Sequence, residues 1–110
     1  MPSTPLRINL SEHIDQLDEP WSPIEIAQFN DQVLRLAKFE GEFHWHQHQE
    51  DELFMVVQGE ITIQIQEHAD MVLKQHEFGI VPKGREHCPK SDGPSFVLLV
   101  EPASLKTAGD

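Results

Sequence analysis

The sequence predicts an all-β domain, either a sandwich or a small barrel. Apolar residues at positions 61, 63 and 65 alternate with polar ones, the pattern of a strand with one buried face. Residues 53–57 are apolar at every position, which predicts a strand covered on both faces. Turn-forming Gly, Pro, Asn and Asp separate these and other short apolar runs. Short strands at such regular spacing are typical of both architectures.

Length and charge narrow the range of functions. The 110 residues are enough for one ordinary domain, which can bury a core without disulfides. The single cysteine, Cys88, cannot form an intramolecular disulfide, and no apolar stretch predicts a signal peptide or a membrane span. The net charge of −11 repels nucleic-acid phosphate and anionic lipid. We therefore expect a soluble cytoplasmic protein that binds neither nucleic acids nor membranes.

An N-terminal arm is expected over residues 1–30, and it should include a short helix and the first strand. Ser11 is suited to cap a helix over residues 12–17, because its hydroxyl can accept a hydrogen bond from a free backbone N–H. The main β domain is then expected over residues 31–101, followed by a C-terminal tail over residues 102–110 that is rich in small and polar residues.

Apolar runs predict strands over residues 24–29, 33–39, 53–57, 61–66, 71–73, 78–81 and 96–100. Asn30 and Asp31 separate the first two and are suited to a tight hairpin turn. Pro82 must end the sixth strand or place it at a sheet edge, because proline cannot donate a hydrogen bond to a neighbouring strand.

A metal site is predicted where three histidines at alternate positions precede a carboxylate. His46 and His48 share one face of an extended strand, and Glu52 follows four residues after His48. A second element, over residues 82–87, carries His87 after a rigid turn that contains proline and glycine. Three nitrogens and one oxygen suit a divalent transition ion, and they leave positions open to water or substrate.

Other residues near these four compete for the same roles. His44 shares the strand face of His46 but lies two residues before it, further from the other ligands, where it would contact the ligands or a substrate. Glu50 or Asp51 could replace Glu52 if the chain bends differently after His48.

Cys88 could supply a thiolate beside His87, since a nearby metal lowers the pKa of a thiol. Adjacent strand residues face opposite ways, however, so an inward His87 predicts an outward Cys88 with a structural role. The remaining histidines are expected on the surface, in the helix and in turns: His13, His68 and His76.

The combined pattern resembles the two sequence motifs of the cupin family. An HxH pair followed by Glu and then Gly resembles the first motif, and a PxGxxH run resembles the second; the matching residues are His46, His48, Glu52, Gly59, Pro82, Gly84 and His87. The runs WHxH, DELF, QGE and VPKGxEH resemble small stand-alone cupins often called mannose-6-phosphate isomerase-like, a label that reflects the shared barrel. The second motif departs from the family pattern where Gln75 and Ser91 replace Gly and Asn.

This resemblance implies a double-stranded β-helix, or jelly-roll barrel, that encloses a divalent transition ion such as Zn, Mn, Fe or Ni. Its chemistry would be that of a dioxygenase or an isomerase acting on a small oxygen-bearing metabolite, with Glu52 as a ligand or as a base. The alternative is a non-catalytic module that binds a small ligand or the metal itself.

Two further expectations rest on strand parity alone. The cavity should be lined by Leu34, Leu36, Phe54, Val56 and either Phe96 or Val97. Phe43 and Trp45 should face outward, opposite the ligands, where exposed rings usually mark an interface. We therefore expect a homodimer, which similar small cupins commonly form; cover by the N-terminal segment with Trp21 is the alternative.

Overall fold

A computed structural model describes residues 4–105 and residue 109, and it consists almost entirely of β-strands. One short helix precedes seven strands: α1 (Leu10–Ile14), β1 (Ile24–Phe29), β2 (Gln32–Glu42), β3 (Glu52–Gln58), β4 (Glu60–Ile65), β5 (Met71–Lys74), β6 (Phe78–Val81) and β7 (His87–Pro102). In the described part of the chain, no helix is long and apolar enough to span a membrane.

The N-terminal helix starts earlier than its sequence pattern predicts. The Asn9 side chain caps it by accepting a 3.0 Å hydrogen bond from the backbone N–H of Ser11, so that α1 spans residues 10–14. Asn and Ser are comparable caps, and the sequence alone did not distinguish them. The hairpin lies where it was predicted: Asn30, with a φ of 57°, forms the turn between β1 and β2.

The strands form a jelly-roll barrel in which β7 belongs to both sheets. In the first sheet the order is β1-β2-β7-β3-β6, and every pair is antiparallel. The N-terminal part of β7 pairs with β4, which in turn pairs with β5, to form the second sheet. The long strands β2 and β7 run side by side from residue 32 to residue 42 of β2, so they join the two sheets.

Alternate residues of the first sheet pack into two separate apolar layers. The barrel interior contains the buried cluster Ala37, Phe39, Phe54, Val56, Ile61, Ile63, Leu73, Val81, Val97 and Leu99. On the outer face, Leu36 and Leu98 pack with Leu17, beneath helix α1. The expectation that Leu34 and Leu36 line the cavity is therefore wrong, whereas Phe54, Val56 and Val97 do face inward. Strand alternation could not show which face of β2 points inward, because both faces carry apolar side chains.

The turn between β3 and β4 depends on a glycine that packs against the middle of β7. Gly59 has a φ of 99°, and a Cβ atom added there would lie 2.4 Å from Oγ of Ser95. That hydroxyl accepts a 3.1 Å hydrogen bond from the N–H of Glu60 and donates one of 3.0 Å to the Glu60 carbonyl. The β3–β4 turn is thereby attached to β7, where the two sheets meet.

Candidate metal centre

Backbone hydrogen bonds join the two histidine-bearing segments. The N–H of His46 donates to the carbonyl of His87 over 3.0 Å, and the N–H of His87 donates back to the carbonyl of His46 over 2.9 Å. A third bond joins the same two segments, since the N–H of Gly84 donates to the carbonyl of His48 over 2.8 Å. These bonds bring together residues that lie some forty positions apart in the chain, so the rings of His46 and His87 have their centroids 4.4 Å apart.

The orientation of two imidazoles is set by backbone carbonyls. Nδ1 of His46 lies 2.9 Å from the carbonyl oxygen of His44, and Nδ1 of His87 lies 2.9 Å from that of Arg85. A carbonyl oxygen can only accept, so in both rings Nδ1 carries the proton and donates it. The lone pair of each ring is therefore on Nε2, which is the arrangement that metal-binding histidines commonly have.

The four predicted ligands lie together in the barrel. One donor atom from each of His46, His48, Glu52 and His87 can be chosen so that all four lie within 4.8 Å of one another, and all four residues are buried. Oε1 of Glu52 lies 3.2 Å from Nε2 of His48 and 3.6 Å from Nε2 of His87.

The hydrogen-bonding state of these atoms fits a cation. Among the described residues, Nε2 of His48, Nε2 of His87 and Oε1 of Glu52 are buried and have no partner with hydrogen-bond geometry. Leaving several buried polar atoms without partners is costly, about 1–3 kcal/mol each. Metal–ligand bonds of roughly 2.0–2.2 Å allow two donors on one ion to be at most about 4.4 Å apart. One ion could therefore contact all four atoms only if they moved closer together than the present limit of 4.8 Å.

Burial and neighbouring charges hold two of these groups in the protonation state that a metal ligand requires. Burial lowers the pKa of His46 to about 4, so its imidazole is neutral at pH 7. For Glu52, burial raises the pKa, but the nearby imidazoles of His48 and His87 outweigh it and lower the pKa to about 2. At neutral pH the site therefore holds a neutral imidazole at His46 and a carboxylate at Glu52.

A buried carboxyl group that is hydrogen-bonded to an arginine lies beside Glu52 and was not predicted from the sequence. Glu101 is fully buried, and its Oε1 accepts a 2.5 Å hydrogen bond from Nη1 of Arg35. Leu53 of β3 pairs with Val100 of β7, so Glu52 and Glu101 are neighbours across the two strands. Burial and the Glu52 carboxylate raise the pKa of Glu101 to about 8 despite the guanidinium. Glu101 lies at an alternate position to Val97 and Leu99, which face inward, so strand alternation was the signal that could have revealed it.

The competing residues lie outside the four-residue cluster. His44 is exposed and contacts His46 through its carbonyl and its ring, whose centroid lies 5.3 Å from that of His46. Asp51 is exposed and accepts a 2.9 Å hydrogen bond from the N–H of Lys83. Cys88 is buried, and burial raises the pKa of its thiol, which disfavours the thiolate that a metal ligand must supply.

A small cavity opens beside the cluster. Its volume is about 30 Å³, enough for one or two water-sized groups, and His46 and Glu52 supply its polar lining. The other side chains around it are aromatic or aliphatic: Trp21, Pro23, Ala37, Phe39, Phe43, Phe54, Pro89 and Leu99.

Phe43 lies on the cavity side, so the expectation that it faces outward is wrong. Its ring stacks on Trp21 with centroids 4.8 Å apart and meets the ring of His46 edge-on at 5.3 Å. Strand β2 ends at Glu42, so the alternation of a regular strand does not extend to residue 43. Trp45 is 50% exposed, as expected. Within one chain, the N-terminal segment with Trp21 covers Phe43.

Comparison with known proteins agrees with this barrel and cluster. The sequence-family model described as the cupin domain matches residues 32–101, and this range contains all four clustered residues. The chain therefore belongs to the cupin family. Cupins commonly bind a transition metal. The chain is 35% identical over 100 residues to the uncharacterized protein YdbB of Bacillus subtilis (strain 168), covering 90% of this chain and 88% of that protein.

Solved structures show the same fold. A cupin-2 domain containing protein from Shewanella frigidimarina NCIMB 400 superposes with a TM-score of 0.83 at 35% identity, over 86% of this chain and 93% of the other. The hydroquinone 1,2-dioxygenase PnpCD in complex with Fe3+ gives a TM-score of 0.81 at 16% identity, over 87% of this chain and 32% of the other. At that identity the second likeness shows the fold alone.

Proposed function

We propose that this protein is a metal-dependent enzyme of the dioxygenase type, in which His46, His48, Glu52 and His87 hold one divalent transition ion. The observation that carries the proposal is the convergence of four buried donors within 4.8 Å, three of them with an atom that lacks a hydrogen-bond partner among the described residues. When bound, the ion would supply a positive centre with open positions for a small oxygen-bearing ligand.

The residues around the ion have separable roles in this proposal. The carbonyls of His44 and Arg85 keep the Nε2 lone pairs of His46 and His87 directed at the ion. Glu52 is assigned to the ion rather than to proton transfer, because a carboxylate whose pKa is about 2 is a weak base at pH 7. The apolar cavity wall keeps water away from the bound ligand.

The hydroquinone 1,2-dioxygenase PnpCD motivates the choice of dioxygenation over isomerisation, but its support is a shared fold alone. An isomerase needs a group of suitable pKa to move a proton, and the described residues that line the cavity offer only Glu52 and His46 for that role. Their lowered pKa values make both of them poor bases. A non-catalytic binding module is the alternative outcome.

An oxygen-uptake measurement tests this proposal. Protein loaded anaerobically with Fe(II) is mixed with hydroquinone, acetylacetone or cysteine in an oxygen electrode, and each substrate is followed by chromatography. We expect one substrate to be consumed together with dioxygen, and the uptake to fall by at least tenfold in His87→Ala but not in His68→Ala, which alters an exposed turn. Metal-loaded protein that consumes no dioxygen with any of the three would favour the binding module.

We further propose that the protein acts as a homodimer, through the outer face of the first sheet. Two cross-strand rows on that face are apolar from β6 to β1, namely Ile80-Leu53-Val100-Leu34-Ala27 and Phe78-Met55-Leu98-Leu36-Ile24. Helix α1 packs over the middle of this face, but Phe78 and Ile80 remain 60% and 53% exposed. Because the rows carry no charge, two acidic chains can meet there without repulsion between the contacting side chains.

A further inference from the structure

The wall of the cavity presents aromatic faces beside the metal centre. Trp21 stacks on Phe43 and lies 4.4 Å from Phe39, measured between ring centroids, and Phe39 meets Phe54 edge-on at 6.3 Å. Phe54 in turn lies 6.1 Å from the ring of His87. A flat ligand bound through an oxygen atom would therefore contact rings rather than flexible chains, and rings favour planar partners in stacked or edge-on geometry.

The charge of the lining argues against an anionic ligand. Of the described residues that line the cavity, none is Lys or Arg. The half-buried guanidinium of Arg35 is already hydrogen-bonded to Glu101. Apart from the ion itself, a phosphate group would find no cationic side chain to replace its hydration, so a phosphorylated sugar is disfavoured.

Trp21 is the wall residue that is best placed to make room for a ring. The cavity of about 30 Å³ is too small for a six-membered ring, so one side chain must move. Phe39 and Phe54 are buried in the core and fixed on central strands, whereas Trp21 is only half-buried and lies before β1. Two hydrogen bonds hold it, from its N–H to the Lys38 carbonyl and from Nε1 to the Glu40 carbonyl.

We propose that Trp21 is a specificity-determining residue. Its side chain moves to admit a small, uncharged, planar ligand that carries an oxygen donor, such as a phenol or an enol, and then stacks on that ligand. This inference rests on the proposed function, because the oxygen donor is expected to bind the ion. It goes further by naming the class of ligand and the side chain that selects it.

The chain offers a matched pair of fluorescence reporters for the test. It has two tryptophans, Trp21 at the cavity and the exposed Trp45. The Trp45→Phe variant therefore reports on Trp21, and the Trp21→Phe variant reports on Trp45. Each variant, with its metal content measured in the same sample, is titrated with catechol and with glucose 6-phosphate. Calorimetry then gives the catechol affinity of the wild type and of Trp21→Ala.

We expect catechol to shift or quench the emission of Trp45→Phe in a saturable way and to leave Trp21→Phe unchanged. Loss of the stacking face should weaken catechol binding by roughly three- to tenfold in Trp21→Ala. Glucose 6-phosphate should bind at least about tenfold more weakly than catechol, since no cationic side chain meets it.

The outcomes separate this inference from the proposed function. Wild-type protein that cannot hold a metal overturns both. Metal-bearing protein that does not bind catechol, or binds it equally well in Trp21→Ala, or prefers glucose 6-phosphate, overturns the role of Trp21 and leaves the metal centre standing. Circular dichroism of Trp21→Ala and the milder Trp21→Phe change show whether a loss of affinity reflects misfolding.

Discussion

The imidazoles of His46 and His87 are oriented by groups that exist whether or not an ion is bound. Each ring donates from Nδ1 to a carbonyl two residues before it in the chain, and the two backbones are joined by a reciprocal pair of hydrogen bonds. The ligand geometry is thus set largely by folding, and less rotamer entropy is left to be lost when an ion binds. This preorganisation is a residue-scale reason to expect tight binding.

The lowered pKa of His46 gives a pH prediction for metal-free protein. Its pKa falls from 6.5 to about 4 on folding, so between these values the unfolded chain binds a proton that the folded chain does not. The contribution of His46 to stability is therefore complete above pH 6.5 and is lost as the pH falls toward 4, by roughly 3 kcal/mol in total. We expect the His46 resonances in chelator-treated protein to show no titration above about pH 5. A midpoint near 6.5 would contradict the buried, neutral imidazole.

The four clustered residues could be found from the sequence because each is marked by its spacing, as HxH with Glu52 and as PxGxxH with His87. The second layer around them could not be found in this way. Glu101 follows an apolar run as an ordinary strand end would, and nothing local shows that the side chain of Arg35 reaches it from β2. Phe43 was predicted to face outward because the alternation of β2 was extended beyond its end at Glu42. The ring of Phe43 instead stacks on Trp21.

At the scale of elements, the barrel depends on how β7 connects the two sheets. Its C-terminal part pairs with β3 and its N-terminal part pairs with β4, so the β3–β4 turn must lie close to the middle of β7. Gly59 permits that approach because it has no Cβ and adopts a φ of 99°.

Replacing this glycine should be costly for two separate reasons. Gly59→Ala places a methyl group against Ser95 and forces a side-chain-bearing residue into the left-handed region. We expect a loss of about 2–4 kcal/mol in unfolding free energy, measured by urea denaturation. Gly41→Ala is the matched control, because Gly41 has a φ of 83° with nothing within 4 Å of the added Cβ, and it should lose only about 1 kcal/mol. Equal losses in both variants would contradict the close approach to Ser95.

The positions of the first six strands and the hairpin at Asn30 followed from sequence patterns, since turn residues and alternation act locally. The last strand was predicted only over residues 96–100, whereas β7 already begins at His87. The face of each strand that points inward did not follow for β2. Leu34 and Leu36 pack outward beneath helix α1, while Ala37 and Phe39 fill the barrel. Apolar residues on both faces satisfy either orientation, and only the pairing of β2 with β7 chooses between them.

At the scale of the whole molecule, one apolar layer fills the barrel and a second lies outside the first sheet. Helix α1 covers part of the outer layer, but the end formed by β3 and β6 stays open to solvent. Exposed apolar rows at a sheet edge favour association, and self-association is the simplest way to cover them.

A charge placed in these rows should separate the proposed dimer. Phe78→Asp puts a carboxylate into the row that contains Met55 and Leu98, and we expect a monomer by static light scattering at micromolar concentration. Val72→Asp is the control, since Val72 is 49% exposed but lies on β5 in the other sheet, and this variant should remain dimeric. Wild-type protein that scatters as a monomer would end the dimer proposal.

The proposed function requires the four-residue cluster to be a metal centre, and metal content measured by mass spectrometry tests this directly. The wild type, His46→Ala, His87→Ala and the surface control His68→Ala are loaded with Zn, Mn, Fe or Ni, desalted and checked for folding by circular dichroism. We expect about one equivalent of ion per chain in the wild type and in His68→Ala, and at least tenfold less in the two cluster variants. A wild type that retains none of the four ions, or folded cluster variants that retain as much as the wild type, would contradict the account.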